Sequence, residues 1–180
     1  MICLLDIDGV VGNFAKRALE LFGVKVESRK LLPQNSGLIQ TLKTDSAICR
    51  DFVLGIEFYW YVSDLLEVLH RNFEKVLICS KFLTPAYEAA RFEWVKNKLG
   101  EKYARNFIFS VKQKELFACS SSFLIDDMKA NCRQFKHSGG YSLHWHEEDF
   151  EGMINQIYEI RNEMSNNFMK KELVKLENIK

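Results

Sequence analysis

The chain has 180 residues, of which 47% are hydrophobic, and this is enough for one domain with a sizeable core. Lysine and arginine total 25 against 24 aspartate and glutamate residues, so the net charge is only +1. A charge this small provides no long-range field that would attract nucleic acid or an anionic membrane. Nucleic acid is therefore an unlikely partner, and any anionic ligand must be bound by local groups.

The cysteines and the amino terminus indicate the compartment. The five cysteines form no CxxC pair, are odd in number, and mostly lie in apolar segments typical of a core, which suits a reducing cytosol. No basic segment precedes the first apolar stretch, Asp6 and Asp8 interrupt it, and no apolar run approaches about 18 residues. We therefore expect a cytoplasmic protein with no membrane contact.

The first predicted element is a strand that starts at Ile2 and ends on two acidic residues, Asp6 and Asp8, before a turn at Gly9. Two carboxylates at the carboxyl end of a buried parallel strand raise each other's pKa unless a cation pairs with them. A divalent cation is the natural partner, so the segment indicates a metal-dependent phosphoryl-transfer site. Taken alone, an Asp-x-Asp sequence is also common in turns and helix caps.

The second predicted feature is an insertion. About 65 residues separate the first two strands, far more than a usual crossover connection needs. We predict a small helical cap over residues 14–61. Its first helix runs over residues 13–22 and ends at Gly23, residues 24–37 are irregular, and an aromatic cluster at residues 58–61 closes the cap.

Four further strands are predicted after the cap, each short, apolar or aromatic, and separated from the next by helix-like sequence. They span residues 75–80, 106–110, 122–125 and 141–145. Between the first two of these, Thr84 and Pro85 are typical of a helix start, and the helix should end at Gly100.

Strands that alternate with helices pair in parallel through right-handed crossovers. The predicted fold class is therefore α/β, an open, mostly parallel five-stranded Rossmann-like sheet with helices on both faces and the cap inserted after the first strand. The core comprises residues 1–13 and 62–160. Residues 161–180 are more polar and form a C-terminal helical tail that is exposed or packed against a partner.

Polar residues end three of the predicted strands, and ligands of open α/β sheets bind beyond such carboxyl ends. These residues are Asp6 and Asp8, Ser80 and Lys81, and Asp126 and Asp127. Phosphoryl transfer needs a nucleophile, an acid/base, a cation and hydrogen-bond donors around the phosphate. The three strand ends supply candidates for each role.

The roles follow from residue chemistry. Asp6 is the candidate nucleophile and Asp8 the acid/base, while Asp6 and Asp126 offer the hard oxygen ligands that Mg²⁺ prefers. Asp127 either supports the metal or caps a helix that begins near residue 128. The candidates for phosphate binding are the hydroxyl of Ser80 and the ammonium group of either Lys114 or Lys112. Lys81 either adds a second positive charge or is a solvated residue at the end of a strand.

These motifs resemble those of the haloacid dehalogenase-like hydrolase superfamily, in the same order and spacing across the core. The matching residues are Asp6-Ile7-Asp8-Gly9-Val10, Ser80, Lys114, and Asp126-Asp127. The resemblance implies Mg²⁺ as cofactor and Asp6 as both nucleophile and metal ligand. It also implies that Asp8 binds the metal through its backbone carbonyl and that Asp126 completes the metal site.

Within the superfamily, the chain is similar to the 5'(3')-deoxyribonucleotidases in two segments, Phe92-Glu93-Trp94-Val95-Lys96 and Leu124-Ile125-Asp126-Asp127. This likeness implies that Phe14 lies near a nucleobase, with Phe58 or Tyr59 completing the pocket. Phe14 is equally plausible as a packing residue between cap and core. The chain has Ser80-Lys81-Phe82 where that family has Thr-Ser-Pro, and Met128 where it often has arginine.

The main hypothesis is a Mg²⁺-dependent phosphatase of nucleoside monophosphates, with a deoxyribonucleotide as the expected substrate and an aspartyl-phosphate as intermediate. One alternative retains this chemistry for another small phosphate ester or for a phosphorylated nucleic-acid end. A second alternative is a catalytically idle nucleotide-binding module. A homodimer is suggested by the family likeness and the apolar residues of the tail.

Overall fold

The computed structural model describes residues 1–25, 36–81, 83–110 and 113–177, and a parallel sheet forms its centre. Strand β1 (Ile2–Leu5) lies between β2 (Lys75–Lys81) and β4 (Ser122–Asp126). Strand β5 (Tyr141–His144) pairs with β4, and the short strand β3 (Ile108–Ser110) pairs with β2. The strand order is therefore β3-β2-β1-β4-β5, and each of these pairings is parallel.

The predicted open, parallel α/β sheet is confirmed, but the prediction of five strands needs a correction. Four strands run side by side, while β3 has only three residues and pairs with the last three of β2. It begins two residues later than predicted, because the backbone N–H groups of Asn106 and Phe107 bond back to Tyr103 and Ala104 in the preceding helical turn. The structure is a four-stranded sheet with a short edge extension.

The described residues between β1 and β2 form the helices α1 (Phe14–Phe22), α2 (Ser36–Thr44), α3 (Ser46–Leu54) and α4 (Val62–Asn72). Helix α1 begins one residue later than predicted, after Asn13 as its N-cap, and ends at Phe22 as predicted. The Asn13 side chain accepts a hydrogen bond from the backbone of Lys16 at its start, and Gly23 takes the left-handed conformation at its end. Helix α2 begins inside the segment predicted to be irregular, most of which lies outside the described residues.

Helix α5 (Pro85–Leu99) has the predicted limits, with Thr84 as its N-cap and Gly100 as its C-cap. It packs against α2 and α3, which belong with α1 to the inserted helices between β1 and β2. The Trp94 indole donates to the carbonyl of Ile56 at 2.8 Å, and the rings of Phe58 and Trp94 meet edge to face. These contacts anchor the inserted segment to α5.

The remaining elements are α6 (Glu101–Ala104), a 3₁₀ helix (Lys114–Phe117), α7 (Lys129–His137) and α8 (Phe150–Glu177). Helix α8 continues without interruption through residue 161, and its side chain at Met164 is buried. None of the described helices is long and apolar enough to cross a membrane.

The core has two parts because successive side chains of β1 point to opposite faces of the sheet. Cys3 and Leu5 belong to the larger hydrophobic cluster, to which α4 and α8 contribute, whereas Leu4 belongs to a smaller one with Phe135 of α7. Helices therefore cover both faces, as predicted.

Candidate active site

The pairing of β1 with β4 brings two acidic residues together. Leu5 lies opposite Ile125, so Asp6 and Asp126 come next on the two strands, and the Asp6 backbone N–H donates to the Ile125 carbonyl at 3.0 Å. Their side chains point to the same face, because side-chain direction alternates along a strand. Both are buried.

Lys114 joins these two carboxylates. Its ammonium group donates to Oδ1 of Asp6 and to Oδ2 of Asp126, each at 2.6 Å, and the lysine is the buried first residue of the 3₁₀ helix. Burial alone would lower the pKa of Lys114, but the two adjacent carboxylates outweigh it and hold this pKa far above its usual value. Lys114 is therefore a fixed positive charge, and Lys112 lies outside the described residues.

Asp126 accepts hydrogen bonds at both of its oxygens. Oδ1 accepts from the backbone of Met128 at 2.8 Å and from Asn131 at 3.0 Å, and Oδ2 accepts from Lys114 and from Asn131. The side chain is fully buried. Asp126 is thus well placed to hold Lys114 in position, and Asn131 is a site residue that the sequence reasoning missed.

Asp127 has a different environment. Helix α7 begins after Met128 with no side-chain hydrogen bond at its N-cap, so the suggestion that Asp127 caps this helix is wrong. Burial, and then the charges of Asp6, Asp126 and Asp8, raise the pKa of Asp127 to about 9. Burial likewise raises the pKa of Asp6 to about 7, against the opposing effect of Lys114. The described residues therefore do not fully compensate the negative charge of either carboxylate.

Asp8 is held by two residues of α5 that the sequence reasoning also missed. Oδ1 accepts from Nη2 of Arg91, and Oδ2 accepts from the hydroxyl of Tyr87 at 3.1 Å. Arg91 is fully buried on the same helix face as Tyr87 and Trp94. An arginine at helical spacing between two core aromatic residues was a detectable signal, because charged side chains are almost never fully buried unless paired.

The predicted phosphate-binding residues differ in exposure. Ser80 is buried and is the second-last residue of β2, two residues beyond Ile78, which pairs with Leu5 of β1. Lys81 is the last residue of β2 and is exposed, as expected of a solvated lysine. Ser80 is therefore enclosed within the protein and Lys81 faces solvent, and the role of Ser80 in binding phosphate stays a prediction.

The predicted base-binding aromatics all contact other rings. Phe14 meets Phe52 of α3 with ring centroids 4.9 Å apart, and Phe58 meets Trp94 at 5.4 Å. Tyr59 is 9% exposed and stacks on Tyr61. Phe14 therefore packs within the inserted helices, and Tyr59 offers little open ring surface.

The group of acids fits a divalent cation. Asp6, Asp126 and Asp127 present ligand atoms that all lie within 4.8 Å of one another, close to the span of about 4 Å across an octahedral Mg²⁺ site. Among the described residues, the four carboxylates of Asp6, Asp8, Asp126 and Asp127 have ion pairs with two cations, Lys114 and Arg91. One divalent ion would offset the remaining negative charge.

Comparison with known proteins locates the fold. No family model and no curated protein matches the sequence. Among solved structures, a haloacid dehalogenase-like hydrolase from Xanthomonas campestris is similar, with a TM-score of 0.61 at 9% identity over 93% of this chain and 94% of that one.

Two further solved structures are also similar to this chain. A HAD family enzyme from Bacteroides thetaiotaomicron, in complex with magnesium and inorganic phosphate, has a TM-score of 0.52 at 18% identity over 81% of this chain and 94% of its own. A haloacid dehalogenase-like hydrolase from Streptococcus pneumoniae has a TM-score of 0.50 at 16% identity, with 78% and 82% covered. The chain thus has the fold of the haloacid dehalogenase-like hydrolases.

Proposed function

We propose that the protein is a Mg²⁺-dependent phosphomonoesterase that acts through an aspartyl-phosphate at Asp6. The observation that carries this proposal is the buried lysine that joins Asp6 to Asp126 beside Asp127, at the carboxyl end of a parallel sheet. The magnesium and phosphate bound by the similar enzyme from Bacteroides thetaiotaomicron support it.

In this proposal the metal is held by the side chains of Asp6 and Asp127 and by the backbone carbonyl of Asp8. Asp126 is assigned to the metal by the sequence pattern and belongs to the same group of acids. In this proposal it stands behind the ligands instead, because its oxygens already accept four hydrogen bonds. When bound, Mg²⁺ supplies positive charge that offsets the phosphate oxygens and lowers the repulsion between phosphate and nucleophile.

The residues of the chain divide the chemistry in two steps. Oδ1 of Asp6 accepts from Lys114, which leaves Oδ2 to attack phosphorus while the bond from phosphorus to the ester oxygen breaks. Asp8 donates its proton to that leaving oxygen. It then takes a proton from the water that attacks the aspartyl-phosphate, which releases inorganic phosphate and restores Asp6. Ser80 donates its hydroxyl to a phosphate oxygen.

The proposed substrate is a nucleoside monophosphate, specifically a deoxyribonucleotide. The likeness to the deoxyribonucleotidases in the helix that carries Trp94 and at Asp126-Asp127 supports this choice. Phe14 and Phe58 are only partly buried, so each retains some ring surface for a base.

A second candidate is a phosphatase of another small ester. The exposed Lys81 at the end of β2 favours it, because an ammonium group at the rim suits a second anionic group on the substrate. The burial of the Tyr59 ring also favours this second candidate, because a buried ring offers little surface on which a nucleobase could stack.

The test is phosphate release from ribo- and deoxyribonucleoside 5'- and 3'-monophosphates and from sugar phosphates, with Mg²⁺ and with chelator. We expect metal-dependent preference for deoxyribonucleotides. Phosphate release from sugar phosphates alone would support the proposed mechanism and contradict the proposed nucleotide substrate. Nucleotide binding without release from any ester would instead support an idle binding module.

The covalent step is tested with Asp6→Asn. Because the amide cannot attack phosphorus, we expect kcat to fall by more than about 10³-fold. Glu163→Gln, the same change at an exposed position of α8, is the matched control and should leave kcat unchanged. Comparable activity of Asp6→Asn and the control would contradict the proposal.

A further inference from the structure

The ion pair between Arg91 and Asp8 is the feature of the site that metal and phosphate binding leave unexplained. Arg91 is fully buried, and its guanidinium lies 5.0 Å from the Tyr87 ring centroid and 5.8 Å from that of Trp94. Nε and Nη2 both donate to the Tyr87 hydroxyl, at 3.0 and 2.6 Å. Arg91 is thus held in one orientation by its own helix.

Arg91 and Tyr87 hold both oxygens of the Asp8 carboxylate. Arg91 donates to Oδ1, and the Tyr87 hydroxyl, which accepts from Arg91, donates its own proton to Oδ2. Each carboxylate oxygen retains a second lone pair, so Asp8 can still carry or receive a proton.

This arrangement differs from an ordinary stabilising ion pair. A buried ion pair is weak support for stability, because the desolvation of the charges offsets their attraction. Nη1 of Arg91 is buried and has no hydrogen-bond partner among the residues that the structure describes, which adds to that cost. Asp8 itself remains 34% exposed at its side chain, so the buried arginine fixes a carboxylate that faces the open site.

We propose that Arg91, together with Tyr87, is a positioning residue that orients the Asp8 carboxylate toward the leaving-group oxygen. The inference rests on the proposed function, because it assigns these residues to the proton-transfer step of that reaction. Arg91 does not contact the substrate. It acts through Asp8, on the step in which the ester oxygen receives its proton.

A defect in this step depends on the leaving group. An alkyl ester, such as a nucleoside monophosphate, needs a proton on its leaving oxygen, whereas p-nitrophenyl phosphate releases a stable anion and needs little protonation. The ratio kcat/KM reports the first phosphoryl transfer, so it is independent of the later role of Asp8 as a base. A general loss of packing would instead lower kcat/KM for both esters alike.

Two variants test the inference. Arg91→Lys keeps the charge and removes the planar fork, and Tyr87→Phe removes a single oxygen atom. We expect Arg91→Lys to lower kcat/KM by roughly 10²-fold for the alkyl ester and by far less for p-nitrophenyl phosphate. Tyr87→Phe should show a smaller loss with the same selectivity.

The control is Arg50→Ala, which removes an ion pair to Glu93 of the same helix at the exposed surface. This variant should leave kcat/KM unchanged for both the alkyl ester and p-nitrophenyl phosphate. Thermal unfolding with and without Mg²⁺ should show that each variant folds and binds the metal. If Arg91→Lys does not fold, the inference is tested by the loss of kcat/KM that Tyr87→Phe causes for the alkyl ester compared with p-nitrophenyl phosphate.

The outcomes separate the inference from the proposed function. A selective loss on the alkyl ester supports the positioning role. Equal losses on both esters, or none, overturn the inference and leave the phosphatase proposal intact. A wild-type protein that releases phosphate from neither ester overturns both.

Discussion

Two adjacent carboxylates, Asp126 and Asp127, differ in chemistry because they point in different directions from the end of β4. Asp126 is satisfied by Lys114, Asn131 and a backbone N–H, so it acts as a support. Asp127 has its pKa raised and packs over the turn at Gly9, close enough that only glycine fits there. A side chain at Gly9 would therefore disturb Asp127 directly.

Gly9→Ala tests this contact. Gly9 has φ +81°, and an added Cβ would lie 2.3 Å from Oδ2 of Asp127. The left-handed conformation alone costs about 1–2 kcal/mol for alanine. Gly139→Ala is the matched control, since its φ is +89° with nothing within 4 Å of the added Cβ. We expect both variants to lose stability in urea unfolding, and only Gly9→Ala to weaken Mg²⁺ binding as measured by calorimetry. Equal Mg²⁺ affinity in the two would refute the contact.

At the scale of the element, α5 connects the inserted helices to the site, because it carries Tyr87, Arg91 and Trp94 on one face.

The first turn of α5 depends on Thr84, whose hydroxyl accepts a hydrogen bond from the Tyr87 backbone at 3.1 Å. Thr84→Ala should lower the free energy of unfolding by about 1 kcal/mol, since an N–H of the first turn loses its partner. Thr84→Ser keeps the acceptor and should stay near wild type in the same denaturant titration. Similar loss in both would show that the cap is unimportant.

At the scale of the whole molecule, the site costs stability until a cation binds. A carboxyl group whose pKa is higher in the fold than in the unfolded chain stabilises the fold below the unfolded value, near 4, and loses this contribution as pH rises through the folded pKa. For Asp6 and Asp127 those folded values are about 7 and about 9. The metal-free protein should therefore weaken across this range, while Mg²⁺ binds more tightly as its ligands lose their protons.

The rise in Tm on adding Mg²⁺ should accordingly be larger near pH 8.5 than near pH 6, by about 4 °C or more. Differential scanning calorimetry with Mg²⁺ and with chelator measures it. Asp127→Asn should remove most of this pH dependence and raise the Tm in chelator, because an uncompensated buried charge is gone. Glu163→Gln should retain the wild-type behaviour. A rise in Tm that is independent of pH would contradict the assignment of these carboxyl groups to the metal.

Local signals in the sequence were sufficient for much of the fold. The ends of α1 and α5 follow from single cap residues and their near neighbours in the chain. The caps are Asn13 and Gly23 for α1, and Thr84 and Gly100 for α5. The short β3 was harder, because its start depends on hydrogen bonds that the preceding helical turn makes instead. The homodimer and the cytoplasmic location stay predictions.

The sequence by itself determined the parallel α/β class and the strand-end residues Asp6, Asp8, Ser80, Asp126 and Asp127, because strand ends are local features that meet at one edge of such a sheet. Only the tertiary structure decided that Lys114 joins two of these acids and that Arg91 and Tyr87 hold Asp8. These partners lie 12 to 108 residues apart in the chain. Contacts over such separations depend on how helices pack against the sheet, and no local pattern of residues encodes that packing.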